Sequence, residues 1–223
     1  MQGQYKSKKW LEPPKIFDKH TIFVDEAARG PLAFSLVVVA TRLQPPASPP
    51  PYVADSKLLT KNQRQISVKN LKTCGVVDYH VCELTPRLID EKGMAEAWKL
   101  AVNIAVTKLA RTMVPNPKTG KISVVIDGGF CGVHLPAEIY DVSCIIKGDR
   151  TNYGIACAGL IAKTTHTRNV QRDIALLSPD EMDLFGAILE QGSGYWYSQK
   201  HADLLKAGKC TRFHRKSFKP FKK

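Results

Sequence analysis

Residues 21–30 read TIFVDEAARG, and this stretch decides the fold that we predict for the chain. An apolar run ends at two acids, Asp25 and Glu26, and an Ala-Arg-Gly-Pro corner follows. The apolar and β-branched residues at 21–24 and 32–41 predict two strands joined by that corner. Burying an ionised carboxylate at the end of a strand is costly unless the group is paired or binds a cation. The segment therefore predicts both a sheet and a charged site at its edge.

Two later strands end in the same way. The segment KISVVID ends at Asp127, and the strand predicted at 143–146 is followed by Lys-Gly-Asp, which ends at Asp149. If these strands are neighbours, their ends bring the acids together, and divalent cations relieve the mutual repulsion. Magnesium is usually held by one or two carboxylates together with waters and substrate phosphate oxygens. The pattern predicts a site for hard divalent cations such as magnesium.

The residues alone leave two points open. Each acid could instead be a turn residue or a helix cap, which are common uses of aspartate. Asp25 and Glu26 are adjacent, and successive strand residues point to opposite faces. Both can serve one site only if the strand bends there, or if Glu26 contributes through its backbone carbonyl.

The remaining chain predicts helices alternating with strands. A strand is expected at 76–84 and helices at 60–70, 93–113, 152–177, 179–191 and 198–207. With the antiparallel start, this order predicts a mixed α/β domain with extra C-terminal helices. We expect a basic arm at 1–20, one α/β domain at 21–178 and a C-terminal part at 179–223 that packs on it. Residues 44–52, QPPASPPPY, predict an exposed loop insertion.

Composition limits the class of protein. The 223 residues are 43% hydrophobic, and no apolar run is long enough to span a bilayer. The N-terminus has no secretory signal pattern. Six cysteines without a C-x-x-C pair predict free thiols in a reducing compartment such as the cytoplasm, and no zinc site.

Charge indicates a polyanionic partner. The net charge is +13, and residues 206–223 carry eight Lys or Arg, no acid and three interleaved phenylalanines. Basic clusters with aromatic residues suit a nucleic-acid backbone, although such a balance can also serve solubility alone. There is no phosphate-binding glycine loop and no serine-hydrolase elbow. His166 and His214 are expected on the surface or near phosphate.

Six motifs follow one another along nearly the whole chain, from Thr21 to Phe218: FVDEAARGPL, ADSKLL, VVIDG, KGD, YGIACAGLIAKTT and FHRKSF. In this order they resemble the motifs of the type 2 ribonuclease H family, also called ribonuclease HII. The resemblance implies a ribonuclease-H-like mixed five-stranded sheet flanked by helices, with a C-terminal helical extension. It also implies an endonuclease that hydrolyses RNA in RNA–DNA hybrids, or cuts 5′ of ribonucleotides in duplex DNA, and leaves 5′-phosphate ends.

The same resemblance assigns residues. The catalytic and metal-binding acids would be Asp25, Glu26, Asp127 and Asp149, holding two Mg²⁺ or Mn²⁺ ions in the substrate complex. Our mechanistic hypothesis places Asp25 at both ions, Glu26 and Asp149 at one, and Asp127 at the other. The expected substrate contacts are Ala28, Arg29 and Gly30 at the ribose 2′-hydroxyl, Ser56 and Lys57 at phosphate, Lys163 near the substrate, Tyr195 at a sugar, and Arg215 and Lys216 at backbone phosphate.

The chain departs from the family pattern at two motifs. Ala28 stands where the family has the first glycine of Gly-Arg-Gly, and a Cβ there restricts the backbone. This departure bears on recognition of single ribonucleotides. Thr165-His166-Thr167 replaces the family's Thr-Arg-Asp. Two alternatives stay open: a nuclease of this fold with another nucleic-acid substrate, or a non-catalytic nucleic-acid-binding protein. We expect a monomer without a membrane anchor.

Overall fold

The computed structural model describes residues 10–182, 208 and 210–218. Five strands form one sheet: β1 (Thr21–Ala27), β2 (Leu36–Leu43), β3 (Val77–Leu84), β4 (Ile122–Asp127) and β5 (Tyr140–Ile145). The helices are α1 (Lys61–Cys74), α2 (Pro86–Lys92), α3 (Met94–Ala110) and α4 (Tyr153–Ile174), with single 3₁₀ turns at Ser56–Leu58 and Gly148–Arg150. The mixed five-stranded sheet predicted from the sequence is confirmed.

The strand order is β3-β2-β1-β4-β5. β2 runs antiparallel to both β1 and β3, whereas β4 and β5 run parallel to β1. The parallel half therefore places the carboxyl ends of β1, β4 and β5 along one edge. This is the edge where the sequence places its acids.

Helices cover both faces of the sheet. α3 packs on one face, where Trp98 and Val102 join the core around Ile22 and Val38. α1 and α4 pack on the other, where Leu71 and Leu160 join the core around Val39. With both faces covered, β2 is buried along nearly its whole length, which is why its sequence is a continuous apolar run.

Local sequence explains where the helices begin and end. Thr60 forms a capping box with Gln63 at the start of α1, and Gly75 ends that helix in the left-handed conformation. Asn152 caps α4 by accepting from the backbone N–H of Ile155. The short helix α2, which begins at Pro86, was not predicted. Its seven residues are too few for the helical period to stand out.

One expectation from the sequence is wrong. Cys131 and Cys144 form a disulfide, with Cα atoms 5.8 Å apart, so the expectation of free thiols is wrong for this pair. Cys131 lies in the loop after β4 and Cys144 lies on β5, and sequence spacing does not reveal that they meet. Residues 179–182 are helical as predicted, but the rest of the two predicted C-terminal helices lies outside the described residues. Nowhere in 10–182, 208 or 210–218 is a helix both apolar enough and long enough to cross a membrane.

Candidate active site

Asp25 and Asp127 lie side by side at the ends of neighbouring parallel strands. Val24 on β1 pairs with Ile126 on β4, so the two acids are the next residues along their strands. Asp25 is only 8% exposed, and its Oδ1 accepts from the backbone N–H of Glu26 at 2.7 Å. A Cβ on Gly159 of α4 would collide with Oδ2 of Asp25, so a glycine is needed where the helix crosses beneath this acid.

Burial and neighbouring carboxylates dominate the electrostatics of Asp25. Burial raises the pKa of its carboxyl well above the usual value, and repulsion by Glu26 and Asp127 raises the pKa further. Burial also raises the pKa of Asp127, and the charge of Asp149 adds to that effect. A divalent cation would remove both penalties, so this pair of acids fits a metal-binding role.

The side chain of Glu26 lies on the face of the sheet opposite to that of Asp25. The indole Nε1–H of Trp98 on α3 donates to Oε2 of Glu26 at 3.1 Å, and the Arg29 guanidinium lies 3.8 Å from Oε1. Burial raises the pKa of Glu26, although the Trp98 hydrogen bond and Arg29 oppose the shift. Asp25 and Glu26 point to opposite faces of the sheet, as successive strand residues do. Both still line one hollow, because β1 ends at Ala27 and the hollow lies at the edge of the sheet.

Asp149 follows β5 through a tight turn. The backbone N–H of Gly148 donates to Oδ1 of Asp127 at 2.6 Å, which links the turn to the end of β4. Asp149 is buried, and its Oδ2 lies 3.0 Å from Nζ of Lys57. Burial lowers the pKa of Lys57, but the hydrogen bond and charge of Asp149 outweigh it, and the net pKa is raised.

A hollow of about 390 Å³ opens at this edge. Three of the predicted acids line it, namely Asp25, Glu26 and Asp127. Five predicted substrate contacts also line it: Ala28, Arg29, Ser56, Lys57 and Lys163. Gly30 lies between two lining residues, and Asp149 is joined to the hollow through Lys57. Burial lowers the pKa of Lys163, and nearby Arg64 and Lys57 lower it further.

The acids do not form a closed cage by themselves. Within the part of the chain that the structure describes, no group of three or more His, Cys, Asp or Glu side chains is arranged to hold an ion on its own. Magnesium keeps several waters and takes substrate phosphate oxygens as ligands, so an open set of acids suits it better than a closed cage. The donor set is all oxygen, which is typical of a hard divalent cation.

The C-terminal motif lies elsewhere than expected. Arg215 is fully buried and donates to backbone carbonyls, so the expected contact of its side chain with phosphate does not agree with the structure. His166 and His214 are also buried rather than on the surface. Lys216 is exposed. Tyr195 lies outside the described residues.

Sequence reasoning missed Trp98 as a neighbour of the acids. The helical period correctly predicts it as a core residue, and it is 1% exposed. Since a buried indole N–H needs an acceptor, its partner had to be a polar group near the helix. The sequence does not say which one.

This mixed five-stranded sheet, in the order β3-β2-β1-β4-β5 with helices on both faces, defines the fold class as ribonuclease-H-like. A family model described as Ribonuclease HII matches residues 22–221. The chain belongs to the ribonuclease HII family.

Individual relatives agree with this membership. Ribonuclease HII of a Marinomonas species is 31% identical over 199 residues, which cover 89% of each chain. Ribonuclease HII of Polynucleobacter asymbioticus is 32% identical over 200 residues, or 90% of this chain and 93% of the relative. Among solved structures, the Archaeoglobus fulgidus complex of ribonuclease HII with PCNA aligns with a TM-score of 0.60 at 18% identity, over 92% of this chain and 97% of that one. Ribonuclease H2 of Pyrococcus horikoshii aligns with a TM-score of 0.57 at 21% identity, over 90% and 94%.

Proposed function

We propose that this ribonuclease H binds its divalent ions with Asp25, Glu26, Asp127 and Asp149, and cuts on the 5′ side of ribonucleotides in duplex DNA as well as the RNA strand of RNA–DNA hybrids. Endonuclease action on RNA–DNA hybrids comes with membership of the family. The observation that carries the residue assignment is the pair Asp25 and Asp127, which lie at adjacent strand ends in one hollow and both have raised pKa values.

Mg²⁺ or Mn²⁺ ions, when bound, would neutralise the scissile phosphate and lower the pKa of a water molecule. The chain itself supplies the remaining groups. Lys57 and Lys163 face the hollow and would pair with phosphates on either side of the cut. Arg29 lies beside Glu26, in the segment after β1 where the ribose 2′-hydroxyl would bind.

The domain boundaries belong to the same proposal. Residues 21–178 form the catalytic domain, and residues 210–218 of the basic C-terminal part pack on it and extend the nucleic-acid surface. The antiparallel bridge between Ala33 and His214 supports this packing. We infer that the chain acts as a monomer, which light scattering of the purified protein would test.

The decisive experiment maps products. Three duplexes of one sequence are compared: DNA with a single ribonucleotide, an RNA–DNA hybrid, and DNA alone, each with Mg²⁺ or Mn²⁺. We expect cuts 5′ of the ribonucleotide that leave 3′-hydroxyl and 5′-phosphate ends. Preference for the all-DNA duplex would contradict the proposal and favour another nucleic-acid substrate.

Variants test the residue assignment. Asp127→Asn keeps the size of the side chain but removes the charge, and we expect it to lose cleavage of all ribonucleotide substrates. Asp141→Asn is the matched control, since Asp141 is an exposed acid on β5. Full activity of Asp127→Asn would remove Asp127 from the site.

A further inference from the structure

The segment from Ala28 to Phe34, here called the corner, joins β1 to β2 and lines the hollow with Ala28, Arg29 and Pro31. Its two end residues have positive φ angles, 68° at Ala28 and 70° at Phe34. Residues with a Cβ avoid this region because the side chain crowds the following carbonyl. Such conformations persist only where the surroundings hold them. Something must therefore hold both ends of the corner.

Arg215 contacts both of these ends. Its Nη2 donates to the carbonyl of Ala28 at 2.7 Å, and its Nε donates to the carbonyl of Phe34 at 2.9 Å. Between the ends, Nη1 lies 2.8 Å from the carbonyl oxygen of Pro31 and 3.3 Å from that of Arg29. One guanidinium thus contacts four carbonyls of a seven-residue segment, and it does so fully buried.

Only arginine can make this set of contacts. The guanidinium is planar, with five N–H donors in a rigid fork, whereas a lysine ammonium has three donors at one point. A lysine could reach one or two of these carbonyls but not both ends of the corner at once. The remaining carbonyls would then be buried without a donor.

The segment that carries Arg215 is anchored independently of that side chain. The backbone N–H of Arg215 donates to the carbonyl of Leu32 at 2.7 Å. Asp90 on α2 accepts from the backbone N–H of Lys216 at 2.9 Å, and from the N–H and hydroxyl of Ser217 at 2.8 and 2.7 Å. Arg215 is therefore held at a defined place between α2 and the corner.

We propose that Arg215 is a positioning residue, which holds the corner in the conformation that meets the ribose of the substrate. The inference rests on the proposed function, because the corner is where the 2′-hydroxyl would bind. Arg215 acts through the backbone of Ala28 and Arg29 and does not touch the substrate. The family has a glycine where this chain has Ala28. Because glycine adopts a positive φ without help and alanine does not, this chain depends more on Arg215.

The main test compares Arg215→Lys with Arg212→Lys. Both changes keep the charge, and Arg212 is an exposed arginine on the same segment. With a duplex containing one ribonucleotide, we expect Arg215→Lys to lower kcat by at least about tenfold, because small misplacements of a binding segment are costly to the chemical step. KM should change by less than about threefold, since no phosphate contact is lost. Arg212→Lys should stay within about twofold of wild type in both constants.

A second change separates positioning from simple stability. In the double variant Ala28→Gly with Arg215→Lys, glycine accepts the positive φ that Arg215 otherwise supports. We expect kcat to recover at least about threefold over Arg215→Lys, since neighbouring residues that share a contact are coupled. A kcat for Arg215→Lys within twofold of wild type, or no recovery in the double variant, would overturn the proposal.

If Arg215→Lys does not fold, Asp90→Asn takes its place. This change loosens the anchor of the C-terminal segment and leaves Arg215 intact. A fall in kcat that Ala28→Gly partly reverses would support the proposal, and an unchanged kcat would overturn it. Hydrogen exchange of the corner amides separates this inference from the proposed function. Faster exchange there in the variant supports positioning by Arg215 even if wild type fails to cut at ribonucleotides, and unchanged exchange contradicts it.

Discussion

Trp98 on α3 donates its indole N–H to Oε2 of Glu26 across 3.1 Å. The same ring lies 5.0 Å from the Arg29 guanidinium, which pairs with the other oxygen of Glu26. Glu26 is therefore held from both sides before any ion or substrate arrives. A carboxylate oriented in this way can bind a cation with less loss of side-chain freedom.

Trp98→Phe removes that donor and keeps most of the ring. Because hydrogen bonds from neighbouring groups orient metal ligands, we expect about a tenfold higher Mg²⁺ concentration for half-maximal cleavage. Metal titration of activity measures this shift. Trp10→Phe, at an exposed tryptophan that does not line the hollow, is the control. The same Mg²⁺ midpoint in Trp98→Phe and wild type would show that the hydrogen bond does not position Glu26.

Asp25→Asn should stabilise the protein without metal while abolishing cleavage. Burial and repulsion by Glu26 and Asp127 raise the pKa of Asp25, so its charge destabilises the fold at neutral pH. Removing that charge should raise the free energy of unfolding, and the loss of a metal ligand should lower kcat/KM by more than about a hundredfold. Urea unfolding in chelator and steady-state kinetics measure the two effects, with exposed Asp141→Asn as control. A less stable Asp25→Asn would mean that the carboxylate is well compensated by its neighbours.

Ala28→Gly should also stabilise the protein. The φ angle of 68° at Ala28 costs an alanine roughly 1 kcal/mol that a glycine does not lose. We expect urea unfolding to show a gain of about that size, with cleavage beside a single ribonucleotide at least equal to wild type. The adjacent Ala27→Gly lies in β1 and should instead destabilise by about 0.5–1 kcal/mol. Equal effects of the two changes would argue against strain at residue 28.

His166 should make stability depend on pH. Burial lowers the pKa of its imidazole to about 3, and the charges of Lys163 and Arg215 add to the shift. The unfolded chain binds a proton near pH 6.5 and the folded chain does not, so the stability contributed by His166 is present above pH 6.5 and is lost as pH falls towards 3. Between pH 7.5 and 5 this loss amounts to about 2 kcal/mol.

His166→Gln isolates this effect, because glutamine does not titrate. Urea unfolding of both proteins at pH 7.5 and 5 gives the comparison. Wild type should lose about 2 kcal/mol more than the variant over this range. Parallel pH profiles would mean that His166 takes up its proton in the folded protein as readily as in the unfolded chain.

Lys57→Gln should weaken substrate binding in a salt-dependent way. Lys57 faces the hollow and pairs with Asp149, so it can exchange that carboxylate for a phosphate when substrate and ions bind. We expect KM to rise and the slope of log KM against log salt to fall by about one. Lys61→Gln, at the exposed first residue of α1, should keep the wild-type slope. An unchanged slope in Lys57→Gln would exclude a phosphate contact by this side chain.

The sequence alone predicts the sheet and the place of the acids because both depend on local patterns. The apolar run before Asp25 and the one before Asp127 each mark a strand, and the acids lie in its last residues. Parallel pairing of those strands then brings the ends together. The start of α1 at Thr60 is equally local, since a capping box needs only four residues.

Only the tertiary structure decides which distant groups meet. The basic motif near Arg215 predicts a phosphate contact, but the chain folds it inward onto carbonyls more than 180 residues away in sequence. Trp98 reads as a core residue, yet its N–H reaches Glu26. Periodicity reports which face of a helix or strand is buried, whereas a buried hydrogen-bond donor finds its partner through the packing of separate elements. For that reason the sequence predicts where the acids lie, and the fold determines what holds them and the corner beside them.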